Sequence, residues 1–473
     1  MARREKIVLG ALFLIALTFG VFATFTQLFF LPIIPVVLLG GYIFLILLFR
    51  EPLIGFYTII IYNFLMGIID REVGGFQYGI LNEVLLIITW LSVWYNQKRF
   101  DFSILKTSFI GLVVLWFMVS VAELVNPASG SVMGWLQEFR SVALTPMLIA
   151  PLGLLLIDTK KKLNVFLILI IGLSALGTLN GIRQATIGLS AGEQRFLDDG
   201  ASVTHIIHGK LRVFSFYREA AQFGSSQAYF CLVGLVLMFG IKGLFKKIGL
   251  LLFSLLSFYG MLISGTRTAL FALLVGIFFA IGLSKNFKAV FVGGGIALFF
   301  ILILKFTYIG SSNYHIHRLR TAMDTEDASL NVRFNSQERL AEYLETRPFG
   351  NGLGAIGHWA KEYNSGTYLA TIEPDSYWVK IWAMYGIVGF ILFFCIWMYL
   401  LGRASGLIWN MKDKALRVRL VTLISGVAGL FVASYGNEVM STMPSLMFAN
   451  VSLPIVYGMC RRYMKNEDRT IKI

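Results

Sequence analysis

Long apolar stretches broken by short polar clusters recur along the whole chain. Fourteen of them approach the roughly 20 residues an α-helix needs to cross a bilayer. They lie near 7–27, 29–49, 53–69, 79–96, 107–125, 138–157, 163–182, 219–240, 248–264, 267–284, 288–308, 377–401, 418–436 and 440–459. The hinge Phe30-Leu31-Pro32 divides the first two, but Pro is also tolerated inside membrane helices, so the range is 12–14 spans. The pattern predicts an all-α polytopic membrane protein, with residues 1–473 forming one integral membrane domain. The first stretch follows a basic N-terminus yet runs past 20 residues without a small-residue cleavage site, so it reads as a retained helix.

Two polar intervals, 183–218 and 309–376, are too long to be turns. Loops beyond about 15 residues are usually functional or disordered, and the aromatic and apolar content of both favours order. In the second, Leu330, Phe334, Leu340, Tyr343 and Leu344 recur at three- and four-residue spacing, which predicts an amphipathic helix over 329–346. Arg347-Pro348-Phe349-Gly350-Asn351-Gly352-Leu353-Gly354 then stops it. Such a helix either lies at the membrane surface over a cavity mouth or packs on the bundle as a lid.

Composition agrees: 57% of residues are apolar and 14% charged, against about 25% charged in soluble domains. The net charge of +15 first raises the question of nucleic acid. With the N-terminus placed in the cytoplasm, however, the inner segments hold 25 of the 41 basic residues and seven acids. The inner side then carries +18 and the outer side −3, so the excess is a topology signal that places both termini inside. Cys231, Cys395 and Cys460 all fall in apolar stretches, where thiols behave as small hydrophobes. Neither a disulfide framework nor a cysteine metal site is indicated.

The basic residues also differ in kind. The inner set has fifteen Lys and ten Arg, the outer set twelve Arg and four Lys (210, 305, 361 and 380). Topology has no use for that preference, whereas a site gripping phosphate or carboxylate does, because guanidinium binds oxyanions through a bidentate fork. Arg267, in Ser264-Gly265-Thr266-Arg267-Thr268-Ala269, sits where two apolar stretches meet. A charge at that depth is costly and tends to be functional or paired. Arg212 and Arg218 lie just before another stretch, with Glu219 as a local partner for Arg218. Together they suggest an anion site near the outer leaflet. Asp375, just before the stretch at 377–401, is either a helix N-cap or a general base at the membrane surface. All five histidines lie in the two long loops, but His205 with His208 and His315 with His317 lack the further ligands a metal needs.

The motifs resemble the bacterial O-antigen ligase and O-antigen or exopolysaccharide polymerase superfamily of membrane glycosyltransferases, in order across about 205–395. Ser264-Gly265-Thr266-Arg267-Thr268-Ala269 is similar to its Ser-x-Ser-Arg-Thr signature. Ser329-x-x-x-Arg333 with Pro348-Phe349-Gly350-Asn351-Gly352-Leu353-Gly354 resembles the loop pattern ending in Pro-x-x-Gly-x-Gly. Asp375-Ser376-Tyr377-Trp378 through Gly386-Ile387-Val388-Gly389 is similar to His-Asn-x-Tyr-Leu followed by Gly-x-x-Gly. Arg212-Val213-Phe214-Ser215 resembles the Arg that opens the preceding helix.

The resemblance implies a GT-C-like fold with a large, partly helical periplasmic loop, and an inverting transfer that needs neither metal nor cofactor. The donor would be a glycan on undecaprenyl diphosphate, the acceptor a glycan or lipid-linked glycan, and the place the periplasmic face of the bacterial inner membrane. Arg212, Arg267 and Arg333 inherit the diphosphate, with Arg218 added by proximity. The base is a His in ligases; alignment on the Gly-x-x-Gly pair puts Asp375 there, with Asp for His and Ser for Asn, which is closer to polymerase-like members. An exposed Asp is a weak base, so burial at the bundle mouth is expected to raise its pKa, or the displacement to need little base strength. His358 is the reserve base. The alternative is a lipid-linked glycan flippase or other multi-span transporter, against which no internal repeat is found. Sugar, linkage, acceptor, oligomeric state and the choice between polymerase and ligase are not written in the sequence.

Overall fold

The computed structural model describes residues 18, 33–75, 78–207, 209–285, 295, 298–299, 302–303, 305–308, 314–320 and 328–471. The helices are α1 (Ile33–Arg50), α2 (Pro52–Val73), α3 (Gly79–Tyr95), α4 (Ser108–Ala122), α5 (Val132–Leu156) and α6 (Lys160–Thr186). Short elements follow: α7 (Ala191–Phe196), α8 (Ser202–His205) and a hairpin of β1 (Ile206–Ile207) and β2 (Lys210–Leu211), in which Ile206 pairs with Leu211. Next come α9 (Ala220–Gly240), α10 (Leu244–Ile263), α11 (Arg267–Leu283), α12 (Tyr314–Arg320), α13 (Ala328–Leu344), α14 (His358–Tyr363), α15 (Tyr377–Trp409), α16 (Lys414–Ala433) and α17 (Ser445–Ile471).

Among the described residues eight helices are long and apolar enough to cross a membrane: α2, α4 extended to Val125, α5, α6, α9, α10, α15 and α16. Three shorter apolar helices, within α1, α3 and α11, add to them. The count of fourteen is therefore not reproduced in full. The stretch 7–27 falls almost wholly, and 288–308 more than half, outside the described residues.

The chain divides into two compact units, 1–58 with 85–100 and 59–84 with 101–473. In the first, Ser92 Oγ donates to the Leu48 carbonyl at 2.6 Å, the Asn96 amide to the Phe49 carbonyl at 2.7 Å, and Arg99 pairs with Glu51 at 3.1 Å. In the second, α9 packs against α10, α11 and α16. Close approach depends on missing side chains: a Cβ on Gly276 would meet Leu232, and one on Gly429 the Ala272 carbonyl. Small residues serve helix association where lipid gives no hydrophobic drive. Hydrogen bonds between helices add to it, as in Thr178 Oγ1 to Gln227 Oε1 at 2.8 Å and Tyr229 with Ser452 at 3.0 Å. Polar caps set helix starts: Thr159 accepts from the Lys162 N–H and Asp413 from the Leu416 N–H. Asp413 also pairs with Lys160 at 2.5 Å, tying the starts of α6 and α16 together.

Both long loops are ordered in their described parts. In 183–218, Ser190 and Glu193 form a capping box on α7, and Arg183 grips Glu193 at 2.6 Å. The amphipathic helix expected over 329–346 is α13, and among the described stripe residues those at the C-terminal end are packed. Leu340 and Leu344 are buried, whereas Phe334 is 48% exposed. Cys231 and Cys460 are buried, and Cys395 is exposed on the apolar helix α15, which is long enough to cross a membrane.

Candidate active site

A cavity of about 2010 Å³ opens in the second unit, and Arg212, Arg218, Arg267, Arg333 and Asp375 all line it. Residues spread over more than 160 positions thus share one space.

The arginine wall is built on the Ser264-Gly265-Thr266 turn between α10 and α11. Gly265 adopts φ +59°, a region few side chains tolerate. Ser264 Oγ donates to the Met261 carbonyl at 2.6 Å and accepts from the Thr266 N–H at 3.2 Å. Thr266 Oγ1 then donates to the Ala220 carbonyl at 3.0 Å, fixing the turn to the start of α9. Arg212 is held in place by Thr204 O at 3.0 Å, Ser264 O at 3.3 Å and Thr266 Oγ1 at 3.4 Å. Arg267 is the first residue of α11, and Arg318 joins the wall through Gly265 O at 3.4 Å. Arg218 faces the cavity next to Glu219.

Arg333, from α13, pairs with Asp375 at 3.5 Å. Two expectations for Asp375 are corrected here. The N-cap of α15 is Ser376, whose Oγ accepts from the Val379 N–H and donates to the Ser434 carbonyl, both at 3.3 Å. A hydroxyl one residue on does the capping, and the carboxylate is left to Arg333. Nor is Asp375 buried at the bundle mouth: its side chain is 56% exposed.

The two glycine motifs interlock. Gly386 breaks α15 with φ +65° and ψ −171°, a conformation essentially confined to Gly. The freed backbone pairs with the 348–352 segment: Asn351 N–H to Ala383 O at 3.0 Å, Gly352 N–H to Met384 O at 2.9 Å and Val388 N–H to Pro348 O at 3.2 Å. A Cβ on Gly386 would strike the Pro348 carbonyl, and one on Gly350 would strike Gly386 N. The interlock ties the loop that follows α13 to the helix that follows Asp375.

Sequence reasoning missed a second group. Lys380, 7% exposed, lies 3.0 Å from both Glu138 on α5 and Glu438. Arg140 pairs with Glu83 and donates to Gln137 at 2.8 Å where α5 loosens into a π turn over Arg140–Leu144. The available signal was an isolated charge inside an apolar stretch, at 138 and 380. Counting Lys380 only as an outer basic residue concealed it.

Of the histidines, His358 lines the cavity with its Nε2 3.7 Å from Glu362. Desolvation and then Arg218 hold its pKa below the usual histidine value, so it is neutral near pH 7. His205, 2% exposed, shares its Nδ1 with the Ala201 carbonyl at 2.9 Å, and burial pushes its pKa down to about 4. His208 lies outside the described residues. Among the described residues no cluster of three His, Cys, Asp or Glu suits a metal.

No curated protein and no solved structure matches the chain. A family model described as O-antigen ligase matches residues 252–394, a stretch holding Arg267, Arg333, Asp375 and both halves of the glycine interlock, while Arg212 and Arg218 precede it. Residues 252–394 are thus similar to the O-antigen ligase family, and the match supports the O-antigen ligase and polymerase superfamily that the motifs resemble.

Proposed function

We propose that this membrane protein transfers a glycan from a polyprenyl diphosphate carrier, undecaprenyl diphosphate in a bacterial membrane, to a glycan hydroxyl. The carrying observation is the cavity in which Arg212, Arg218, Arg267 and Arg333 meet Asp375, with Arg267, Arg333 and Asp375 within the O-antigen ligase match. A diphosphate is already a leaving group, so the chemistry needs charge stabilisation, alignment and removal of one proton. Fixed guanidinium groups supply the first by neutralising charge that builds on the diphosphate as the sugar departs. Arg212 suits this because backbone and Thr266 oxygens pre-set its orientation. A carboxylate takes the proton, and the motif alignment nominates Asp375. In this reading the hydroxyl attacks the face opposite the diphosphate, inverting the anomeric carbon. The cavity opens to the periplasmic side of the inner membrane, with both termini in the cytoplasm. The fold is GT-C-like with about fourteen spans in one domain, and described residues of the loops 183–218 and 309–376 line the site.

The test uses purified protein in liposomes, with lipid-linked glycan extracted from a host strain lacking this gene. Arg267→Ala is expected to cut transfer at least 100-fold, and Arg267→Lys to recover part of it. Normal transfer by Arg267→Ala, in protein shown to be folded, would remove the diphosphate from this wall.

A further inference from the structure

Among the described residues, every carboxylate lining the cavity except Asp70, Glu219 and Glu362, which has only the neutral His358 near it, sits at ion-pair distance from a Lys or Arg nitrogen. Glu219 stands out because of its place. It is the N-cap residue of α9, with extended backbone at φ −132° and ψ 145°, yet its side chain makes no capping hydrogen bond. The carboxylate faces the cavity instead. Its neighbour Ala220 accepts from Thr266 Oγ1, which in turn accepts from Arg212, so Glu219 leaves the backbone directly beside the arginine wall. The charged groups acting on it are Arg218, Arg212, Lys380 and Glu438, and His358 lies near Arg218 and Lys380 in the same cavity.

We propose that Glu219 is the general base of this site, taking the proton of the acceptor hydroxyl beside the arginines that hold the donor diphosphate. The assignment rests on the glycosyl-transfer reading and changes which carboxylate performs it. The acceptor oxygen bonds to the anomeric carbon. The bond from that carbon to the phosphate oxygen breaks, and its electron pair leaves on the diphosphate. The hydroxyl proton passes to Glu219, which releases it to water between turnovers. Asp375, exposed and paired with Arg333, then serves to hold that guanidinium for the donor.

The environment favours Glu219 for this work. Like Asp375 it is exposed, here to the cavity, but the protein crowded around it costs hydration and holds its carboxyl above the ordinary carboxylate range. Glu438 pushes the same way, while Arg218, Lys380 and Arg212 oppose it. Because Glu438 is itself gripped by Lys380, its negative charge stays where it acts on Glu219. A carboxylate of raised pKa is the stronger base, since base strength follows pKa.

The experiment compares Glu219→Gln, Glu219→Asp and Asp375→Asn in the same liposome assay. A general base typically contributes about 10²- to 10⁴-fold. Glu219→Gln is therefore expected to lose at least 100-fold in kcat with the donor KM within threefold, and Glu219→Asp to recover part of the rate. Asp375→Asn is expected to raise the donor KM instead. In the wild type the acidic limb of kcat/KM against pH lies above the ordinary glutamate range, and Glu219→Asp shifts it. Should Glu219→Gln fail to fold, that shift and the Glu219→Asp rate decide the matter. A Glu219→Gln kcat within threefold of wild type, or an unshifted limb in Glu219→Asp, overturns the assignment. If instead wild-type protein makes no product, or Arg267→Ala is fully active, it is the transferase reading that fails.

Discussion

The outer arginines separate once their partners are known. Arg71 donates to the Ser215 and Tyr217 carbonyls and lies 4.9 Å from the Phe214 ring centroid; Arg183 grips Glu193; Arg347 stacks 3.9 Å over Tyr343. Arg183 and Arg347 are structural, whereas Arg71, though held by two carbonyls, also lines the cavity. Arg212, Arg218, Arg267 and Arg333 line the cavity. Residue type and loop position made the group legible in the sequence, but not the division, because that depends on which carbonyls and rings lie opposite. His205 shows how firmly the arginine wall is set. Its backbone carbonyl accepts from the Arg212 N–H at 2.7 Å, and its ring packs edge-on against Phe196 and Phe214. Burial lowers its folded pKa to about 4, below the unfolded value near 6.5. A depressed histidine contributes stability that is fully present above pH 6.5 and lost as pH falls toward 4, at most about 3 kcal/mol. Hydrogen exchange over residues 201–218 is expected to lose protection between pH 6.5 and 4.5, after correction for intrinsic rates. His205→Phe should abolish that loss; an unchanged profile would mean the ring is not what titrates.

At the scale of elements, the apolar periods located α2, α6, α9, α10, α15 and α16, because lipid contact demands apolar residues along a whole helix. The amphipathic period located α13 in the same way. What the periods did not carry was the break at Gly386, which lies inside an unbroken apolar run and becomes a feature only when Pro348 to Gly352 pair with it. Two Gly-rich motifs were legible as turn signals; that one completes the backbone of the other was not. The interlock makes a specific demand. Gly386→Ala places a side chain in a Gly-only conformation, at a cost of about 1–3 kcal/mol, and against the Pro348 carbonyl. The expected result is release of the 345–357 segment, seen as faster proteolysis there, with a fall in transfer because Arg333 and Asp375 sit on the elements being joined. Gly402→Ala, on the same helix with nothing within 4 Å of its new Cβ, is the control and should behave as wild type. Equal proteolysis of the two variants would show that the interlock does not hold the loop.

At the scale of the whole molecule, the charge partition becomes an argument about which side the cavity faces. Lys246 and Lys247 lie at the start of α10, and the Ser264-Gly265-Thr266-Arg267 wall lies just past its end. A helix of 20 residues spans about 30 Å, the thickness of the hydrocarbon layer. The two clusters therefore belong to opposite membrane surfaces. Lysine-rich connections are retained in the cytoplasm, so Lys246 is expected inside and the cavity, with the loop through α13 and α14, outside. A single cysteine reports each side once Cys231, Cys395 and Cys460 are replaced. Lys246→Cys and Gly366→Cys suit this, since both positions are exposed and a Cβ at Gly366 meets nothing within 4 Å. In intact cells a membrane-impermeant maleimide is expected to label Gly366→Cys and to reach Lys246→Cys only after permeabilisation. The reverse pattern would put the arginine wall in the cytoplasm, where it would meet donor lipid before export, and would move the whole reaction to the other side of the membrane.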